Sequence, residues 1–273
     1  MATIANTQAF RNTRELGKST RAQESSTRKL ASGKRVNSAS DDAATLGIST
    51  KLNASIRSRG QAHRNANDAI SIVQTIEGSL NEINASVIRI RELAVHAASD
   101  TVSNNERDLM NIEVYQNLRE INRISESTEL FSQKLTEGKD KRLEIQVDKG
   151  SGKKDRIFIQ LDNLSQSSKA LGIDDIDIKT QRHARHSLMK VDHALKSVGE
   201  SVARMGAMSS RFTSTISNLE KDVANGKQAN SRMMDTDYAQ ETANNLKEKI
   251  KTNAQTSLAT QANDNLRSVT KLI

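Results

Sequence analysis

Residues 188–223 read LMKVDHALKSVGESVARMGAMSSRFTSTISNLEKDV, and this stretch decides the fold. Leu188, Val191, Leu195, Val198, Val202, Met205, Phe212, Ile216, Leu219 and Val223 recur at steps of three, four and seven. Such a stripe lies along one face of an α-helix and packs against other helices. Working outward, Ile70, Val73, Ile76, Leu80, Ile83, Val87, Ile90 and Ala94 repeat the pattern, so 64–98 is read as a helix. After a polar loop at 100–105, Met110, Val114, Leu118, Ile121 and Ile124 predict a third helix to about residue 129, with a capping residue before Glu106.

The texture changes between these helices. Gly138, Gly150, Gly152 and Gly172 fall close together, and Leu143, Ile145 and Val147, then Ile157, Ile159 and Leu161, alternate with polar neighbours. The alternation predicts a β-hairpin near 142–161, with 149–153 as a basic, flexible tip.

The two ends are more polar. Residues 3–31 read as a helix whose apolar positions, Ile4, Phe10, Leu16 and Leu30, are sparse, with Thr13, Thr20 and Thr27 between them. Gly33 is the expected stop, and Ser40 the expected cap of a restart led by Asp41 and Asp42. At the other end, Gly226 is read as a joint. Residues 234–271 follow as a helix striped by Ala239, Ala243, Leu246, Ile250, Ala254, Leu258, Ala262, Leu266 and Val269. A weak first helix needs a partner, because isolated helices gain most of their stability from packing. The last helix offers one. The fold class is therefore mainly α: a long antiparallel helical rod or coiled coil with one β-hairpin and paired N- and C-terminal helices.

Composition narrows the function. Ordinary usage predicts about 14 prolines in a chain of this length; there are none, and nothing forces a helix to break. Cysteine is absent, which removes disulfide and thiolate chemistry. The net charge of +8 belongs wholly to residues 1–64, which hold 12 Lys/Arg against 4 Asp/Glu. A nucleic-acid binder would interleave aromatics there, yet only Phe10 lies in the segment, so no nucleic-acid partner is expected. The chain opens without the apolar run of a signal peptide, and no stretch approaches a membrane span.

Several long motifs resemble bacterial flagellins. Leu30-Ala31-Ser32-Gly33-Lys34-Arg35-Val36-Asn37-Ser38-Ala39-Ser40-Asp41-Asp42-Ala43-Ala44 is similar to that family's N-terminal signature. Arg64-Asn65-Ala66-Asn67-Asp68-Ala69-Ile70-Ser71, Glu77 to Ile83 and Arg89 to Val95 continue it. Ser231-Arg232, Asp235 to Ala239 and Gln261-Ala262-Asn263 resemble the C-terminal stretch. Thr45 stands where a glycine is common, and the basic balance departs from a family that tends to be acidic.

The resemblance implies a non-enzymatic structural subunit that polymerises into the flagellar filament for motility. Residues 1–40 and 230–273 would form a terminal coiled-coil core domain and 41–229 a helical rod domain. There is no room near 140–180 for large outer domains, so the filament surface should be smooth. Filament core assembly would use Phe10, Leu16, Leu30, Leu246, Ile250, Leu258 and Leu266. Implied partners are other flagellin subunits, the flagellar export apparatus, an export chaperone and the filament cap. The implied place is a secreted protein in an extracellular or sheathed flagellum. Arg89, Leu93 and Glu113 align with positions through which a Toll-like receptor recognises some flagellins, which implies an innate immune receptor as a further partner; packing between subunits is the competing role. The alternatives are a hook–filament junction (hook-associated) protein, and a basic coiled-coil adaptor binding membrane or nucleic acid through residues 1–64.

Other constellations are set aside. His183, His186 and His193 lie at helical spacing, but no carboxylate completes a familiar metal pattern. Asp174, Asp175 and Asp177 lack the central Gly and terminal Glu of a calcium loop and read as the close of a turn. Asp41 and Asp42 suit a helix N-terminus better than a catalytic pair. Met205, Met208, Met233 and Met234 sit on helix stripes and read as core. No cofactor and no catalytic residue are expected.

Overall fold

The computed structural model describes residues 2–130, 133–134, 142–161 and 166–271, the side chains of 2–9, 130, 133–134, 266 and 269–271 excepted. Gly138 and the side chains of Ile4, Leu266 and Val269 thus lie outside the described residues. The elements are α1 (Ala2–Ser32), α2 (Ala39–Ala97), α3 (Asn104–Ser127), β1 (Glu129–Leu130), β2 (Gln133–Lys134), β3 (Arg142–Gln146), β4 (Arg156–Gln160), α4 (Gln181–Met234) and α5 (Tyr238–Lys271). The chain divides into two compact units, one of residues 1–56 with 224–273 and one of 57–223.

In the larger unit the predicted stripes are the core. Ile83, Val87, Ile90 and Ala94 of α2 meet Val114, Leu118 and Ile121 of α3 and Val191, Ala194 and Val198 of α4. A second cluster joins Val73, Ile76 and Leu80 of α2 to Met205 and Phe212 of α4. Onto it the hairpin lays Val147, Ile157, Ile159 and Leu161, in the antiparallel register Leu143↔Ile159 and Ile145↔Ile157. The hairpin tip is tied down, contrary to the expectation of a flexible one. The Asp155 carboxylate accepts from the Gly152 amide at 2.8 Å, and Arg156 donates to the Ser151 carbonyl at 2.9 Å. A Cβ on Gly150 would displace that same carboxylate.

Two features had no counterpart in the expectations. A two-residue antiparallel pair, β1 with β2, follows α3. Leu171, Ile173, Ile176 and Ile178, in a segment without regular structure, are all buried in the first core cluster. Asn111 holds that segment by accepting from the Ile178 amide at 3.0 Å. The α2–α3 turn is set by a reciprocal cap: Ser103 accepts from the Glu106 amide and Glu106 accepts from the Ser103 amide at 2.7 Å. Buried Arg107 braces it, donating to the Ala97 carbonyl at 2.8 Å and the Ser99 carbonyl at 2.7 Å.

The terminal unit corrects three expectations. Asp42, not Ser40, caps the helix restart: its backbone is extended (φ −165°, ψ 97°), and its carboxylate accepts from the Thr45 amide at 2.9 Å. Asp41 instead closes the turn before it, accepting from the Asn37 and Ser38 amides at 3.0 and 2.9 Å. Those bonds, Asn37 first, hold Asp41 below the ordinary carboxylate pKa. Nor is Gly226 a joint. It lies within continuous α4, and a Cβ there would sit 2.9 Å from Ile56 Cγ1, so glycine permits close approach of α2. Finally, the last helix begins at Tyr238, where Asp237 accepts from the Ala239 amide at 3.0 Å.

The two breaks are stitched together. Gly33, in the left-handed region at φ +69°, ends α1 as expected. Its carbonyl accepts from the Thr236 amide at 3.0 Å, and Lys34 forms an antiparallel bridge to Asp235. Arg35 donates through its side chain to the Met233 carbonyl at 2.9 Å.

Candidate assembly surface of the paired terminal helices

Helices α1 and α5 pack along each other, mostly through polar side chains. The α1 positions turned inward are Asn12, Leu16, Ser19, Gln23, Ser26 and Leu30, at steps of four and three, with Ser19 and Ser26 buried. On α5 the half-buried positions are Glu241, Asn244, Asn245, Glu248, Thr252, Gln255, Ala259 and Ala262. Ser26 donates to the Glu241 carboxylate, and Asn245 donates to Thr27 Oγ1 at 3.0 Å. Glu248 bonds to Lys251 at 2.7 Å, which, with weaker help from Ser19, holds its pKa below the ordinary value. This seam is a polar ladder. In the whole terminal unit the described buried apolar side chains are Val36 and Met234.

The predicted assembly residues are distributed accordingly. Leu16 and Leu30 are half-buried in the α1–α5 seam. Phe10 is 66% exposed, Leu246 57%, Ile250 61% and Leu258 53%, so these side chains are not spent on the pairing. Leu246, Ile250, Ala254 and Leu258 follow one another at steps of four, on the side of α5 away from the polar ladder. The Leu266 side chain lies outside the described residues.

Arg89, Leu93 and Glu113 are brought together. They line one recess with Leu109 and Met110, in which Arg89 bonds Glu113 at 2.7 Å and Glu92 at 3.1 Å. Glu113, then Glu92, raise the pKa of Arg89 above its ordinary value. Leu93 is buried and serves the core.

The set-aside histidines divide. His183 sits 3.1 Å from Asp177, and His186 lines the same shallow recess; His193 does not. Asp175 pairs with Lys190 at 2.6 Å, while Asp177 accepts from the Lys179 amide at 2.9 Å and so closes a turn. Among the described residues no group of three such side chains could hold a metal ion, and no helix is long and apolar enough to cross a membrane.

Comparison with known proteins places these observations. Residues 4–141 match the bacterial flagellin N-terminal helical region, and residues 188–273 match the bacterial flagellin C-terminal helical region. The flagellin of Halalkalibacterium halodurans is 36% identical over 245 residues, which cover 90% of this chain and 89% of that one. The flagellin of Salmonella muenchen is 40% identical over 194 residues, 70% of this chain but 37% of the longer relative. Among solved structures, the crystal structure of Bacillus cereus flagellin aligns with TM-score 0.51 and 25% identity over 57% of this chain and 88% of that one. The family is one of structural proteins, not enzymes. Two matched terminal regions, and a relative matched over nearly its full length, place this chain in the bacterial flagellin family, as a structural subunit of the flagellar filament.

Proposed function

We propose that the chain joins its neighbours in the filament through the outward stripe of α5, Leu246, Ile250 and Leu258, together with Phe10 of α1. The observation that carries this reading is that these large apolar side chains stand exposed while α1 and α5 pair through a polar ladder. Burying one such side chain is worth about 1.5–3 kcal/mol, and a repeating contact collects that from every subunit. Residues 1–40 and 230–273 form the coiled-coil core of the filament in this reading, and 41–229 the rod around it. The chain reaches the filament tip by the flagellar export route, with a chaperone and a cap as its partners on the way.

Negative-stain electron microscopy of the purified protein, with and without short filament seeds, tests the reading. Long uniform filaments are expected from the full chain and none after deletion of 234–273. Persistent monomers in the presence of seeds would count against it.

A second proposal concerns the Arg89 recess. Arg89 and Glu113 are partly exposed on one surface, a charged pair that an innate immune receptor could read. A receptor-reporter assay with purified monomer should respond, and lose its response with Arg89→Ala; silence toward the unaltered chain would remove the idea.

A further inference from the structure

Between the hairpin tip and α4 lies an open recess of about 250 Å³. Its buried lining is apolar: Val147 and Ile157 from the hairpin, Leu219 from α4. Lys154 of the tip and Arg211 and Asn218 of α4 line it as well. These three side chains are exposed, and none has a hydrogen bond or ion pair among the described residues. The ammonium groups of Lys149 and Lys153, beside Lys154 on the tip, are exposed and unpaired in the same sense.

The carboxylates nearby do not neutralise these lysines. Asp155 is taken up by the Gly152 amide. Asp148 and Asp222, which line the recess, flank Arg59 at 3.6 and 3.3 Å. Neither separation is that of a good hydrogen bond, and Arg59 Nε is buried without a hydrogen-bond partner. Both carboxylates therefore keep acceptor capacity toward the recess. With Arg59, Lys154 and Arg211 set against Asp148 and Asp222, the recess is net positive before the other tip lysines are added. One rim offers unspent donors and the facing wall offers acceptors.

The chemistry of the occupant follows. Pockets that engulf a drug-sized ligand measure about 300–1,000 Å³; this recess is smaller and holds one unit of a larger molecule. That unit has to bring an anion for Lys154 and Arg211, hydroxyls that donate to Asp148 and Asp222, and an apolar face for Val147, Ile157 and Leu219. An acidic peptide side chain brings the anion alone and sets a third carboxylate against two. A single-stranded nucleic acid stacks on aromatics, and none lines the recess. A membrane surface takes up apolar side chains, and residues 149–154 hold none. A sugar ring bearing a carboxylate or a sulfate meets all three requirements.

We propose that the recess between the hairpin tip and α4 binds an acidic sugar of an anionic polysaccharide. Lys154 and Arg211 hold its carboxylate or sulfate, Asp148 and Asp222 its hydroxyls, and Lys149 and Lys153 the neighbouring units. The site lies wholly within the 57–223 unit and is tested on the free subunit, so it stands apart from the filament reading. Binding of the full-length protein to polygalacturonate, which is carboxylated, and to heparin, which is sulfated, is measured at about 0.15 M NaCl. Neutral dextran and inorganic polyphosphate are the comparison polymers. At least one acidic polysaccharide should bind, and dextran should not. Lys154→Gln/Arg211→Gln should weaken that binding about tenfold or more. Lys247→Gln/Lys249→Gln, which removes equal charge from α5, should change it by less than about twofold. Asp222→Ala makes the chain more basic, yet should weaken polysaccharide binding about fivefold. Polyphosphate, which has no sugar hydroxyls to donate, should bind that variant as well or better.

Absence of binding to both acidic polysaccharides, or an equal loss with the α5 variant, overturns the proposal. So does an Asp222→Ala variant that holds polysaccharide and polyphosphate alike more tightly, the mark of charge attraction without a sugar site. Tighter binding of the unaltered chain to single-stranded DNA or to phosphatidylglycerol vesicles than to either polysaccharide would also overturn it. Thermal melts with an unchanged midpoint establish that the variants are folded.

Discussion

Replacing Leu246, Ile250 and Leu258 together with aspartate is expected to abolish filament growth while leaving the helical content of the free subunit unchanged. All three side chains are more than half exposed, and none takes part in the α1–α5 hydrogen bonds. Surface substitutions of this kind usually shift stability by less than about 0.5 kcal/mol. In a filament the same positions would be covered. Three large apolar contacts are worth together about 5–9 kcal/mol if fully buried, and carboxylates in their place would have to be desolvated without partners. Since each 1.4 kcal/mol is about a factor of ten in affinity, the critical concentration should rise by at least about a thousandfold. Sedimentation of seeded reactions checks this, with circular dichroism of the monomer as the control. Filaments formed at ordinary concentrations would show that the stripe is not an assembly surface.

The opposite behaviour is expected of Phe212→Ala. Phe212 is fully buried in the second core cluster, among Ile76, Leu80, Met205 and the inward residues of the hairpin. Removing a buried phenyl ring costs about 3–5 kcal/mol, a lost transfer term plus a cavity. At about 2–4 °C per kcal/mol for a unit of 150–250 residues, the unfolding midpoint of the 57–223 unit should fall by roughly 10 °C. Thermal melts followed by circular dichroism would show it, and an unchanged midpoint would contradict the packing described. The pair of variants thus separates a residue that holds the subunit together from residues that hold subunits to each other.

The sequence was legible where burial is apolar and periodic. The stripes from Ile70 to Ala94 and from Leu188 to Val223 mark the positions that pack, because helix-on-helix contacts repeat every three and four residues. The hairpin's alternation likewise fixes its inward residues. What could not be read was burial without that signal. Leu171, Ile173, Ile176 and Ile178 reach the core from an irregular segment, where no period announces them. In the stretch 43–63 of α2 the packed positions mix polar Ser49 and Arg59 and small Ala62 with Leu52 and Ile56, so no continuous apolar stripe marks it; Ser49 bonds Asn230, Leu52 and Ile56 lie beside Gly226, and Arg59 is ion-paired to Asp222.

The candidate site was half legible for the same reason. Leu246, Ile250 and Leu258 stood out as a stripe, but hydrophobicity alone says only that a face wants burial. Which helix face turns toward α1 is decided by Ser19, Ser26, Glu241 and Asn245, whose hydrogen bonds have no periodic apolar mark. The cap at Asp42 was missed because Ser40, Asp41 and Asp42 are all good capping residues, and only the extended backbone at Asp42 separates them.

The measurement closest to the central claim exploits the absence of cysteine from the chain. A single Leu258→Cys substitution, with Ile250→Cys as its companion, gives one thiol on the outward stripe of α5. Maleimide labelling is then compared between free subunits and filaments grown from them. If the stripe joins neighbouring subunits, labelling is rapid in the monomer and strongly suppressed in the filament. Equal labelling in both states, at both positions, would contradict the account and move the subunit contact away from α5.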